Sequence, residues 1–130
     1  MRSVKSLLFS GSLTAMISGA VIVLVTITVH ELAHGYTAYL LGDNTAKNAG
    51  RLSLNPLAHL DPLGAILLFV TGFGWAKPVP INPFYFKGSR SRGILLVSLA
   101  GPLSNVVLAF VLAMFVPLAA RFNMSLAQII

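Results

Sequence analysis

Two long apolar stretches flank a polar middle. From Leu13 to Leu41 the only charge is Glu31, and apolar residues dominate on both sides of it. As a helix rising about 1.5 Å per residue, this run extends roughly 44 Å, more than the ~30 Å hydrocarbon core of a bilayer. It predicts a membrane-spanning helix. Gly42-Asp43-Asn44 supplies the stop, because Gly and Asn accept the left-handed backbone that ends helices. Asn44 to Pro62 is polar and turn-rich, and within it "GRLSLNP" alternates polar and apolar residues as a short strand would. Leu63 to Ala76 is apolar but short for a crossing and contains Gly64, Gly72 and Gly74, which predicts a re-entrant or third, protein-packed segment. "KPVPINPFYF", Lys77 to Phe86, holds three prolines and should be extended. Gly93 to Ala120 is uncharged and long enough for a second span, with a bend expected at Gly101-Pro102 and Pro117 near the far end.

Composition agrees with this pattern. Of 130 residues, 56% are hydrophobic and 9% charged, and the mean hydropathy is +0.85, outside the range of soluble domains. The expected fold is an all-α membrane protein: two transmembrane helices, a short apolar re-entrant or third segment, and short extended strands between them. No linker or repeat divides the chain, so residues 1–130 are expected to form one domain.

A cleaved secretory signal is the competing reading of the N-terminus, since Arg2 and Lys5 precede the apolar run and Ser18-Gly19-Ala20 offers small residues. The run is too long and continuous for that. The net charge of +6 comes from bases grouped beside the apolar stretches without interleaved aromatics, which favours lipid headgroups over nucleic acid. Lys47, Arg51, Lys77, Lys87, Arg90 and Arg92 lie between the two spans, and by the positive-inside rule they place those connections in the cytoplasm. Arg2 and Lys5 argue the other way. The expected location is the cell membrane, as a multi-pass protein.

The candidate chemistry lies in His30-Glu31-Leu32-Ala33-His34. Helix positions four apart share a face, so His30 and His34 can each offer a ring nitrogen to one metal ion, with Glu31 beside it. The chain has no cysteine, so a metal must be held by His and carboxylate; two imidazoles and a neighbouring acid suit Zn²⁺. Zinc lowers the pKa of bound water to about 7 and polarises a carbonyl, and Glu31 would act as the general base. The alternative is a pair of interfacial histidines with Glu31 bonded to a lysine. An ionisable group at membrane depth costs on the order of 3 kcal/mol, which makes that placement unexpected without a function. The site should fall roughly 26 Å along the first helix, just inside the face carrying the basic connections.

Four motifs in order carry a resemblance to a known family: "HELAH" ending a membrane helix, "LGDNTAKNAGRLSLNPLAHLDPLGAI", "FGWAKPVPINP", and "SLAGPLSN" opening another span. Over about Val25 to Phe115 the chain resembles the site-2 protease family of intramembrane zinc metalloproteases. The resemblance implies that His30 and His34 are zinc ligands, that Glu31 is the catalytic base, and that the substrate is a transmembrane segment of another protein. Such a substrate must be unwound, and "GRLSLN" and "PVPINPFYF" are the candidate edges to hold it by strand addition or, alternatively, plain connections.

The family's third ligand is an aspartate in a later "Leu-Asp-Gly" motif, which this sequence does not contain. Three readings stay open: a piece of a longer protease, a short protein using Asp61 or His59 as a substitute ligand, or a non-catalytic membrane binding or assembly module. For Asp61 the competing role is a cap or turn before Pro62. His59 and Asn105 are candidates for supporting the ligands or the reacting carbonyl, and Asn105 alternatively for bonding a neighbouring helix. The sequence leaves the substrate and the oligomeric state undetermined.

Overall fold

The computed structural model describes the backbone of residues 4–129 and the side chains of residues 13–122 other than Phe69. Arg2, and the side chain of Lys5, lie outside the described residues.

Helix α1 runs Val4–Leu40 without a proline. Its two mid-helix hydroxyls turn inward on the backbone, Thr26 donating to Ile22 O and Thr28 to Leu24 O, both at 2.7 Å, so neither is left bare among apolar neighbours. Gly42 has φ 107°, a conformation that suits glycine, and Asp43 N closes the end by donating to Ala38 O at 2.9 Å. The expected stop is therefore formed where the sequence placed it. A single turn, α2, follows at Thr45–Asn48.

The expected strand at "GRLSLNP" does not form. His59 donates from Nε2 to Ser53 O at 2.7 Å, and Ser53 Oγ accepts from Asn55 N, so the segment turns into a 3₁₀ turn over Pro56–His59 instead of pairing. Among the described residues the strand-like pairing is one isolated antiparallel bridge, Leu60 with Ala76. Helix α3, Pro62–Thr71, has Asp61 as its N-cap, Pro62 at its first position and left-handed Gly72 at its end. Its 10 residues make about 15 Å, half a bilayer crossing.

Lys77 to Asn82 carries no helix or strand, consistent with Pro78 and Pro80 within it, and leads into a second 3₁₀ turn, Pro83–Tyr85. Helix α4 then runs Arg90–Ile129, starting three residues before the predicted span and continuing through both Pro102 and Pro117. The main long-range packing is α1 against α4. Ala38, Phe86 and Val97 form the small buried cluster, with Leu41 and Ile81 against it.

Leu13–Leu40 and Arg90–Phe122 are each long and apolar enough to cross a membrane. Their outer faces are uncovered, as at Met16 and Phe110, each 70% exposed. Buried core helices of a soluble protein would not present such surface to solvent, so a bilayer is the physical environment these faces suit. An apolar cleft of about 380 Å³ opens between α1 at Val23 and Ile27 and the Trp75-Ala76 segment.

Candidate metal centre

Near the end of α1, one helical turn brings His30 and His34 edge to face, with ring centroids 4.6 Å apart and Nε2 atoms at 2.9 Å. Each ring is held from behind by α4. His34 Nδ1 donates to Val97 O at 2.6 Å, and His30 Nδ1 lies 3.0 Å from the Asn105 side-chain amide. Val97 lies on α4, and its carbonyl has a second lone pair to offer.

These contacts determine which ring nitrogens are free. A carbonyl only accepts, so His34 carries its proton on Nδ1 and turns a lone pair on Nε2 toward His30. Two arrangements then remain for His30. Its Nε2–H can donate to His34 while Asn105 Nδ2 donates to Nδ1, which leaves Asn105 Oδ1 buried without a partner among the described residues. Alternatively the amide is turned over, Oδ1 accepts from His30 Nδ1–H, and both Nε2 lone pairs converge on one point. Two lone pairs 2.9 Å apart repel unless a cation lies between them. The orphaned Oδ1 and the shared focus therefore suit a metal bound by His30 and His34, with Asn105 and Val97 as the outer partners that metal-binding imidazoles need.

Gly101 leaves room at that focus. A Cβ there would stand 2.6 Å from His30 Nε2 and closer still to His34 Nε2. Any side chain would occupy the space in front of the ligands. Glu31, the next residue on the helix, accepts from Val79 N at 3.2 Å through Oε2.

The other candidates are engaged elsewhere. Asp61 Oδ1 caps Leu63 N at 3.0 Å and Oδ2 accepts from Trp75 Nε1 at 2.8 Å. The indole bond is the main reason its carboxyl lies below the usual range; burial opposes it, while the amides of Leu63 and Gly64 and the charge of Lys77 add to it. His59 is 1% exposed and bonds Ser53 through its ring and Lys77 N through its carbonyl, tying the two connections together. Among the described residues no group of three His, Cys, Asp or Glu converges on one point.

Asp43, the remaining acid, holds the connections to the end of α1. It accepts from the hydroxyl and N–H of Thr45 and from Asn82 N at 2.8 Å. Burial alone would raise its pKa, but these bonds outweigh it and hold the carboxyl below its ordinary value.

Comparison with known proteins points the same way. The chain is 59% identical over 88 residues to "Putative zinc metalloprotease YwhC" of Bacillus subtilis, an alignment covering 68% of this chain and 40% of that protein. It resembles named zinc metalloproteases. "Putative zinc metalloprotease Rip2" of Mycolicibacterium smegmatis is 30% identical over 115 residues, and Rip2 of Mycobacterium tuberculosis 33% over 116, each alignment covering 85% of this chain and 42% of the relative. The chain thus spans about 40% of the length of the relatives it matches. No family model and no solved structure gives a match.

Several participants were not legible as site residues. Val97 and Val79 act through backbone atoms, which no side-chain motif announces. Gly101 acts by lacking a side chain, and Arg51 by reaching carbonyls distant in sequence, Pro78 O at 3.1 Å and Lys77 O at 2.6 Å. The proline spacing of "KPVPIN" was the available signal, since it leaves Val79 as an isolated N–H between two residues that have none.

Proposed function

We propose that this chain forms the histidine-bearing part of an intramembrane zinc metalloprotease of the site-2 type, a multi-pass protein of the cell membrane that hydrolyses a peptide bond in a transmembrane segment of another protein. The observation that carries this reading is the pair of Nε2 atoms facing one point, with Glu31 adjacent, on a helix apolar enough to cross a bilayer. When bound there by His30 and His34, zinc supplies Lewis acidity toward water and the scissile carbonyl. Glu31 takes a proton from the attacking water and passes it to the leaving amine. With His30 protonated at Nδ1, Asn105 Oδ1 accepts a hydrogen bond from that N–H and its NH₂ is free to donate to the oxygen of the carbonyl under attack.

A transmembrane substrate has to be extended before it is cut. The strip from Lys77 to Val79 cannot pair with it at all points, because Arg51 occupies two of its carbonyls and Glu31 its one N–H between the prolines. The apolar cleft beginning about one helical turn before His30 offers a berth for the substrate's apolar side chains.

The test is zinc content of the detergent-purified chain, with cleavage of a transmembrane peptide by wild type and by Glu31→Gln. About one zinc per chain, lost in His30→Ala, together with cleavage abolished in Glu31→Gln, supports the protease. Since no third ligand converges among the described residues, the second reading is a membrane binding module; metal-free protein that still binds the transmembrane peptide would support it.

A further inference from the structure

We infer that Arg51 is a positioning residue for Glu31 and acts through a single peptide group, the one joining Pro78 to Val79. The inference deepens the protease reading and rests on it for the role of Glu31. Arg51 is 4% exposed, and its guanidinium donates to Pro78 O at 3.1 Å and Lys77 O at 2.6 Å. Val79 N donates to Glu31 Oε2 at 3.2 Å. Pro78 O and Val79 N are the two ends of one planar peptide unit. A cation therefore bonds its oxygen and an anion its N–H.

The arrangement solves a problem for each residue. A guanidinium out of water is costly unless its charge is answered, and two neutral carbonyls answer it only in part. A carboxylate in an apolar helix has the same difficulty. The peptide dipole, about 3.5 D, points its positive end at Glu31 and its negative end at Arg51, and hydrogen bonds in such a chain polarise and strengthen one another. The two charges are thus paired without touching.

The local sequence permits no substitute donor. Pro78 and Pro80 lack an N–H, so Val79 carries the sole amide hydrogen between Lys77 and Ile81. The ends of the segment are pinned as well, Lys77 N to His59 O at 3.0 Å and Asn82 N to Asp43 Oδ2 at 2.8 Å. Arg51 is anchored in turn by its own N–H, which donates to Ala46 O at 2.9 Å. With Oε2 committed to Val79, Glu31 keeps one orientation and Oε1 remains for proton transfer. Losing the relay frees the carboxylate to swing while leaving the two histidines and their partners in place.

Two measurements on the full chain in detergent test this. In ¹H–¹⁵N spectra the Val79 amide should exchange slowly in wild type and at least about tenfold faster in both Glu31→Ala and Arg51→Gln, as an amide released from a hydrogen bond does. In peptide cleavage, Val79→Pro, which removes the N–H from a segment that carries no helix or strand, should lower kcat by about tenfold to a hundredfold with KM and zinc content held, the signature of lost orientation. Arg51→Lys, keeping the charge but offering one direction at a time, should fall between wild type and Arg51→Gln. Wild-type exchange at Val79 in Arg51→Gln, or wild-type kcat in Val79→Pro, would overturn the inference. If Arg51→Gln does not fold, Arg51→Lys and Val79→Pro still decide. Absence of cleavage in every protein would count against the protease reading alone, since the exchange measurement needs no turnover.

Discussion

Gly101 on α4 faces His34 on α1 so closely that a Cβ would enter the space in front of the ring nitrogen. Gly101→Ala is therefore a change of one methyl at the metal focus. In an ordinary helix interior alanine is the better residue by about 1 kcal/mol, so lost helix stability would not explain the result. The methyl must instead push His30 and His34 off their common point. Zinc affinity should fall by about tenfold to a hundredfold, the scale seen when ligand orientation is disturbed. Chelator competition followed by zinc analysis checks it.

Asn105 permits a finer test of the same centre. If His30 carries its proton on Nδ1 when its Nε2 binds metal, position 105 must supply an acceptor. Asn105→Asp retains one and should bind zinc close to wild type, whereas Asn105→Leu has none and should lose about tenfold to a hundredfold in affinity. Equal affinity for the two variants would show that the contact at 3.0 Å does not hold the ring.

The two spans and the histidine pair were readable because each depends on local sequence: hydropathy over a long run, and two residues four apart on one helix. The stop at Gly42 is local too. What escaped was made by contacts between segments far apart. "GRLSLN" has the alternation of a strand, but alternation describes the two faces of an extended chain and supplies no partner; Ser53 O is instead bonded by His59. Asp61 shows the reverse case. Its position before Pro62 suggested a cap and its charge suggested a ligand, and the structure engages both oxygens in capping α3 and bonding Trp75.

That arrangement makes Asp61→Ala a clean discriminator. Loss of the cap should lower Tm, as removal of an N-cap acceptor does. Trp75 is the chain's one tryptophan and loses its partner, so its emission should shift. Zinc content should not change. A variant that keeps its tryptophan spectrum but loses zinc would put Asp61 in the metal site after all.

Acid should weaken the connections gathered by Asp43. Its folded pKa lies below the ordinary 3.8 because the Thr45 hydroxyl and the N–H groups of Asn82 and Thr45 outweigh its burial. A lowered folded pKa means that the unfolded chain binds the proton more readily. The stabilisation is therefore fully present above about pH 4 and is lost as pH falls from there toward the folded value. Thermal melts in detergent between pH 6 and pH 3 should show Tm dropping at the acid end. Asp43→Asn should start from a lower Tm at pH 6, because a neutral amide accepts those N–H bonds more weakly, and should show a shallower acid slope. Asp61 also has a lowered pKa and adds to the slope, so the double variant with Asp61→Asn should be flatter still. An unchanged slope in Asp43→Asn would mean that its three donors do not hold the connections to α1.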